Sequence, residues 1–462
     1  MSVPLRAPAR EPAGGPAAPH LIRGLGLLGT VALCVGNMVG TSIYTLPASL
    51  AATTGPFGLL SWGATALGYL FVALAYASLG TRHPRTGGPY VFARDAFGDF
   101  AGFQTVWSYW VSCVIGNAAI ATGVVGYAAG FSPALAGSVW LRFALGQAML
   151  WACCLLNVLG VKQSARVQIA IMFLNIGPLV LVSLLALAHF DPANLTPFAP
   201  KGAGFPTLAA GVALVVWGYA GVESATVPAE EVRAPERTIR LGTMLGYAVG
   251  TCVFLLTALA LAGALPNDVV AGSARPIALV AERTLGGWAG AVVGTTAMVA
   301  GLGTLNGWTL MAGRIPVSAS ADGIFFERLA RIHPRYGTPH VALVVGTAVA
   351  SATMLLYFSK SLLAVFNFVV LLAVLTTLLP HLYSAAAELL LAGREAARDP
   401  AAAPRARRAR RVAFVAFAFV LFAIYGAGPE VVMWGTLVVL AGMPLYAWFK
   451  TREQGAGSRV GP

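Results

Sequence analysis

Charge is scarce in this chain. Asp, Glu, Lys and Arg make up 10% of its 462 residues, against 58% hydrophobic residues and a mean hydropathy of +0.76. A water-soluble domain carries roughly 25% charged residues to cover its surface, so this composition excludes one. Acids are scarcest, 17 against 30 Lys and Arg. The six histidines (His20, His83, His189, His333, His340, His381) form no H-E-x-x-H pattern, and no paired acids stand at a usable spacing. We therefore expect no enzymatic activity. No nucleotide-binding motif is present, which argues against ATP drive. The five cysteines (Cys34, Cys113, Cys153, Cys154, Cys252) all lie in apolar stretches. None has a histidine at metal-ligand spacing, so they read as small buried hydrophobes. No metal or cofactor is expected.

What the chain has in abundance is long apolar runs. A bilayer-crossing helix needs about 20 such residues at ~1.5 Å each. Twelve spans are expected: 24–50, 57–80, 100–130, 136–159, 166–190, 207–230, 240–265, 285–318, 338–358, 361–391, 412–427 and 430–449. The fold class is an all-α membrane protein. Residues 1–20, rich in Pro and Ala, read as a disordered tail without a cleaved signal. Residues 21–391 form the core, 392–411 a basic cytoplasmic loop, 412–449 the last two helices and 450–462 a C-terminal tail.

The net charge of +13 invites a nucleic-acid reading, but its distribution argues otherwise. With both termini inside, only Arg142, Lys201, Arg275, Arg283 and Lys360 of the 30 Lys and Arg fall outside. Such asymmetry orients membrane helices and attracts anionic lipid. The expected partners are the lipid bilayer and a small molecule, with no nucleic acid.

Two stretches break the apolar pattern. "VGTSIYTLPA" (39–48) and "AGVESATVPA" (220–229) both read Gly, four residues, Thr, Leu or Val, Pro, Ala. The aligned pairs are Gly40 and Gly221, Thr45 and Thr226, Pro47 and Pro228, Ala48 and Ala229. They lie 181 residues apart, in the first and sixth spans. Five helices per repeat is an odd number, which inverts the second repeat. This predicts a five-plus-five inverted repeat, about 24–190 and 207–391, with helices 1 and 6 broken. An unpaired backbone group in hydrocarbon costs several kcal/mol, so broken helices persist only around protein or a water-filled cavity. Paired breaks are the sequence mark of a transporter site at the repeat interface. N–H groups around Met38 to Ser42 suit a carboxylate, and carbonyls around Trp217 to Ala220 suit an ammonium. A free amino acid carries both.

"GNMVGTSIYTLPASLA", "PRTGGPYVFARDAFG", "YWVSCVIGNAA", "WGYAGVESATV" and "LNGWTLMAG", from about Leu25 to Leu391, together resemble the amino acid–polyamine–organocation superfamily. Within it they look most like its bacterial basic amino acid/polyamine antiporters, those exchanging arginine for agmatine. The resemblance implies a LeuT-type fold in a bacterial inner membrane, a homodimer through the last two helices, and roles for particular residues. Met38, Thr41 and Ser42 match groups that hold the substrate carboxylate. Trp217 matches the aromatic that stacks over the bound side chain. Ser112, Cys113 and Asn117 match positions that meet the distal end of a basic substrate. Ala220 matches an apolar contact beside the sixth-helix break, and Trp308 a tryptophan on the pocket wall. Tyr109, Glu223 and His381 match a cytoplasmic-side gating group. A ring face attracts a desolvated cation by ~2 kcal/mol, which suits Trp217 and Trp308. Glu223 is a carboxylate deep in a predicted span, where ionisable groups are functional by default. It reads as a pH sensor, or alternatively as a neutral acid pinning the break. "PRTGGPYVFARDAFG" reads as a loop helix over the inner mouth.

The chain departs from that pattern in four places. Gly40, Thr41, Ser42 stand for Gly-Ser-Gly, and Asn306 stands for Gly, adding a polar group near the wall beside Trp308. Ala373 replaces a serine and His381 a tyrosine. These differences bear on arginine/agmatine selectivity and, through His381, on pH response. The expected function is secondary exchange of an amino acid for its amine product by alternating access. Proton-coupled uptake without obligatory exchange is the alternative.

Overall fold

The computed structural model describes residues 21–273, 275–357 and 362–457, with side chains given except at 356–371 and 453–457. The expected tail 1–20, Lys360 and the last residues of the C-terminal tail lie outside the described residues. Among these residues there is helix and no strand, apart from one isolated bridge between Leu25 and Val232.

The first apolar run is α1 (Leu27–Met38), α2 (Ser42–Thr54) and α3 (Gly58–Arg82). After it come the short helix α4 (Pro89–Phe97), the long α5 (Asp99–Ala129), one turn α6 (Pro133–Gly137), α7 (Val139–Val158) and α8 (Val161–Leu187). The second half holds α9 (Phe205–Tyr219), α10 (Pro235–Ala264), the short α11 (Asn267–Ala271) and α12 (Pro276–Leu285), then α13 (Gly287–Ala321), α14 (His340–Tyr357) and α15 (Leu362–Arg398). The chain finishes with α16 (Ala403–Gly426), α17 (Pro429–Leu440) and α18 (Met443–Gly457). Ten helical runs among the described residues are long and apolar enough to cross a membrane. One of them, Leu27–Arg82, is 56 residues, while the apolar part of α14 falls short of the required length.

Local chemistry sets many ends. Ser132 and Ser138 each accept a hydrogen bond from the third backbone N–H beyond them, capping α6 and α7. Proline opens α4, α9, α10, α12 and α17 near the first position, where its missing N–H is no loss. The stretch expected as a loop over 392–411 is mostly helical: α15 runs to Arg398 and α16 starts at Ala403. Ala and Arg are strong helix formers and carry both helices through the basic stretch. The chain past Lys450 also continues as helix, α18 running to Gly457 where a tail was expected.

Apolar burial does not drive helices together inside lipid, so close packing rests on small residues. The contact of α1 with α10 illustrates this. Gly242, Gly246 and Gly250 form a stripe on α10 and face Thr30, Cys34 and Met38, which follow the same four-residue step on α1. A Cβ at Gly246 would stand 2.5 Å from the Cys34 Cβ. Helices α5, α13 and α15 pack together at the centre, and aromatic side chains such as Tyr69, Tyr109 and Tyr219 are fully enclosed.

At the end of the bundle rich in Lys and Arg, α4 lies against neighbours through polar contacts. Tyr90 donates to Asp322 Oδ2 at 2.7 Å, and Arg94 reaches Asp99 at 2.8 Å and Asp322 at 2.5 Å. Lys450 pairs with Asp99 at 2.7 Å. Burial alone would push the Asp95 carboxyl up, but His83 and Arg85 beside it hold it below its ordinary value. Nearby, Gly24 and Leu25 donate their backbone N–H groups to the Glu231 carbonyl, both at 2.9 Å. The Glu231 carboxylate in turn pairs with Arg314 at 2.6 Å, both side chains fully buried. The chain before α1, the segment after Gly221 and α13 are thereby tied at one point.

Candidate transport site

Helix α1 stops at Met38 and α2 begins at Ser42, leaving three residues between them. Helix α9 stops at Tyr219, Ala220 turns extended, and Gly221 takes φ +111° before a single 3-10 turn, Val222–Ala225. That φ favours glycine. A side chain is excluded there for a second reason: a Cβ on Gly221 would lie 2.6 Å from Asn37 Cβ and 3.1 Å from its backbone carbon. The end of α9 therefore rests directly on the end of α1. Gly40 makes room for a neighbour too, since its Cβ would overlap the Thr304 hydroxyl of α13. What approaches the backbone at Gly40 is Thr304.

A cavity of ≈ 10 Å³, about the room of one water, sits where these segments meet, lined by Asn37, Thr41, Ser42, Ile120, Trp217, Ala220, Thr304 and Trp308. Thr41, Ile120 and Trp217 also border a second cavity of ≈ 20 Å³ that extends to Tyr44, Thr45 and Tyr127. Neither admits an amino acid, so the arrangement is a closed one. Five of the nine residues expected to bind substrate line the first cavity: Thr41, Ser42, Trp217, Ala220 and Trp308.

The other four do not line it. The Met38 side chain lies in the glycine stripe of α10, and its carbonyl accepts the Ser42 hydroxyl at 2.6 Å. Ser112 turns to α15, donating to the Ala373 carbonyl at 2.8 Å with Thr377 Oγ1 at 2.5 Å. Position 373 thus works through its carbonyl. Cys113 is buried outside the cavity, as is Asn117, whose Oδ1 has no partner. Asn306 does not face the wall beside Trp308. Its Oδ1 accepts from Asn157 at 2.9 Å and Ser164 at 3.1 Å, and its Nδ2 donates to Gln168 Oε1 at 2.9 Å. On a helix, positions two apart face different ways, so Asn306 and Trp308 serve different neighbours.

Tyr109, Glu223 and His381 do come together. The Tyr109 hydroxyl donates to Glu223 Oε1 at 2.5 Å, and the Gly221 N–H donates to Oε2 at 3.0 Å. His381 Nε2 stands 3.9 Å from Oε2, beyond hydrogen-bond reach, while its Nδ1 bonds Tyr76 OH at 2.8 Å. Tyr69 meets the His381 ring edge-on at 5.8 Å. Trp308 joins this group to the cavity, with its ring 6.4 Å from that of Tyr109 and its Nε1 donating to the Asn37 carbonyl at 3.4 Å.

Asn37, Ser224, Thr304 and Tyr76 do not stand out in the sequence as site residues. Asn37 lies two residues before the first quoted break and Ser224 inside the second, and an amide in an apolar run is a usable signal. Asn37 Nδ2 donates to Ser224 Oγ at 2.8 Å, while its Oδ1 is buried without a partner. An orphaned buried acceptor beside a cavity is equipped to take an N–H from a ligand.

The amino acid permease family matches this chain over residues 25–448. The cadaverine/lysine antiporter of Escherichia coli (strain K12) is 31% identical over 368 residues, 78% of this chain and 82% of that protein. The putrescine transporter PotE of the same strain is 28% identical over 431 residues, 93% and 96% of the two chains. A putative arginine/ornithine antiporter of Bacillus subtilis (strain 168) is 28% identical over 384 residues, 77% and 81% of the two. With its helical runs of membrane-crossing length and this match from end to end of the helical core, the chain belongs to the amino acid permease family, in the basic amino acid/polyamine antiporter branch of the amino acid–polyamine–organocation superfamily.

Proposed function

We propose that this protein exchanges a basic amino acid for an amine, such as arginine for agmatine, across a bacterial inner membrane by alternating access. The observation that carries this reading is the meeting of two interrupted helices at a small closed cavity. One interruption offers backbone N–H groups, the other carbonyls, and two tryptophans complete the wall. Among the described residues, the Ser42 and Ile43 N–H groups at the start of α2 have no backbone partner, whereas that of Tyr44 bonds the Thr41 carbonyl. The free pair suits a carboxylate. Trp217 and Trp308 suit a cationic end. None of the residues lining the cavity is acidic, so a cation is held without a full ion pair and can leave again. Relatives that carry lysine with cadaverine, putrescine, or arginine with ornithine support a basic cargo.

In this reading the fold is the twelve-span, LeuT-type five-plus-five repeat, and α1–α2 and α9 with its 3-10 turn are the broken pair. Both termini and the basic end face the cytoplasm. Helix α17 exposes Met433, Trp434 and Leu437, a surface for lipid or for the second copy of a homodimer.

The test of substrate class is a competition panel. Arginine, agmatine, lysine, ornithine, putrescine and neutral amino acids compete against one radiolabelled substrate in proteoliposomes. Basic amino acids and their amines should displace it; displacement by neutral amino acids alone would reject the reading. Glu223, beside His381, favours one second reading, proton-coupled uptake without exchange. In that case an imposed pH gradient alone would drive accumulation.

A further inference from the structure

A cavity far larger than those at the transport site lies elsewhere among the described residues. It is a groove of ≈ 710 Å³ at the basic end, between α3, α10, α15 and α16. Arg82 lines it but is already engaged by Glu388 and, at 3.1 Å, by Glu395. Arg240, Arg405 and Arg408 line it as well, and among the described residues no carboxylate stands within 4.0 Å of any of the three. Leu74, Met244 and Val412 supply an apolar wall. Glu388 and Glu395 line it too, both held by Arg82, so the groove sets three guanidinium groups without an acid partner beside an oily face.

Its position fits that chemistry. Arg82 ends α3, Arg240 lies in the second turn of α10, and Arg405 and Arg408 lie in the first turns of α16. All stand at helix ends, at the level where hydrocarbon gives way to headgroups. Residues 405 and 408 are three apart and share one face of α16, while Arg407, Arg410 and Arg411 do not line the groove. Guanidinium forks bind phosphate oxygens in pairs, and basic pockets between membrane helices hold anionic headgroups.

We propose that this groove binds one anionic phospholipid, its phosphate held by Arg240, Arg405 and Arg408 and its acyl chain laid along Leu74, Met244 and Val412. The site is independent of the transported substrate. The lipid bridges α16 to α3 and α10, elements that no salt bridge among the described residues joins.

The test uses the full-length protein in detergent, titrated with phosphatidylglycerol, phosphatidylcholine or inorganic phosphate and followed by native mass spectrometry and thermal unfolding. Phosphatidylglycerol should bind and raise the unfolding temperature, and phosphatidylcholine and inorganic phosphate should not. The triple variant Arg240→Gln, Arg405→Gln, Arg408→Gln should weaken phosphatidylglycerol binding about tenfold or more, and the triple variant Arg407→Gln, Arg410→Gln, Arg411→Gln by no more than about twofold. If the first triple does not fold, the double variant Arg405→Gln, Arg408→Gln, confined to exposed positions of α16, should show the same selective weakening. Equal loss in both triples would replace the groove with diffuse surface attraction. The same stabilisation by inorganic phosphate alone would replace the lipid with a free anion.

Discussion

Asn37, one residue before α1 ends, donates its side-chain N–H to Ser224 in the segment that follows α9, at 2.8 Å across 187 residues of sequence. Its backbone carbonyl accepts from Trp308 on α13 at 3.4 Å. One residue, through its side-chain amide and its backbone carbonyl, thereby connects the end of α1, the segment after α9 and the cavity wall. Removing either partner of a buried hydrogen bond costs about 1–3 kcal/mol. Asn37→Ala and Ser224→Ala should each lower thermal stability, and the double variant should lose less than the sum, measured as a double-mutant cycle in detergent. Strict additivity would mean that the two breaks are not coupled here.

The glycine stripe on α10 sets how closely α1 can lie. Gly246→Leu places a branched side chain where a Cβ already stands 2.5 Å from Cys34. Overpacking of this kind costs about 1–3 kcal/mol, and here it pushes the end of α1 away from Gly221. Gly246→Leu should reduce both the unfolding temperature and the transport rate. The same change at Gly63, where a Cβ meets nothing within 4 Å, should alter neither. Comparable loss at both positions would contradict this packing account.

Trp308 stands between the cavity and the Tyr109–Glu223 pair. Trp308→Ala should weaken binding of basic substrates more than of neutral ones, because the ring face attracts a cation by ~2 kcal/mol. Calorimetric titration with matched basic and neutral amino acids measures the difference. Equal weakening of both would remove the stacking role.

Glu223 and His381 lie 3.9 Å apart with no hydrogen bond between them, each held instead by a tyrosine. A proton on either changes the attraction across that gap. Glu223→Gln should flatten the pH dependence of exchange while sparing folding, and His381→Tyr should shift its optimum. A pH–rate curve unchanged in both variants would assign the pair a purely structural part.

The helical class and the membrane setting are legible in composition, because lipid leaves a chain of this hydropathy few alternatives. Glycine and proline inside apolar runs are visible without coordinates, and α1 and α9 each end one residue before the two quoted stretches. The direction of individual side chains is not legible. Met38 looks like a cavity residue by its place in the break, but the α10 glycines draw its side chain the other way. Asn306 looks like a wall residue by its nearness to Trp308, but Asn157, Ser164 and Gln168, distant in sequence, claim it. The buried pair of Glu231 and Arg314 leaves no local trace at all, as its partners are 83 residues apart. The basic segment around 400 reads as a loop when charge is weighed alone, and as helix once the propensity of Ala and Arg is weighed with it.

Exchange is the central claim, and vesicles decide it. Purified protein is reconstituted into liposomes either empty or loaded with an unlabelled basic amino acid or its amine, and entry of labelled substrate from outside is timed. Loaded vesicles should take up label rapidly and empty ones only at the background of protein-free liposomes. Equal uptake into both would contradict the account and leave a uniporter or a proton-coupled carrier in its place.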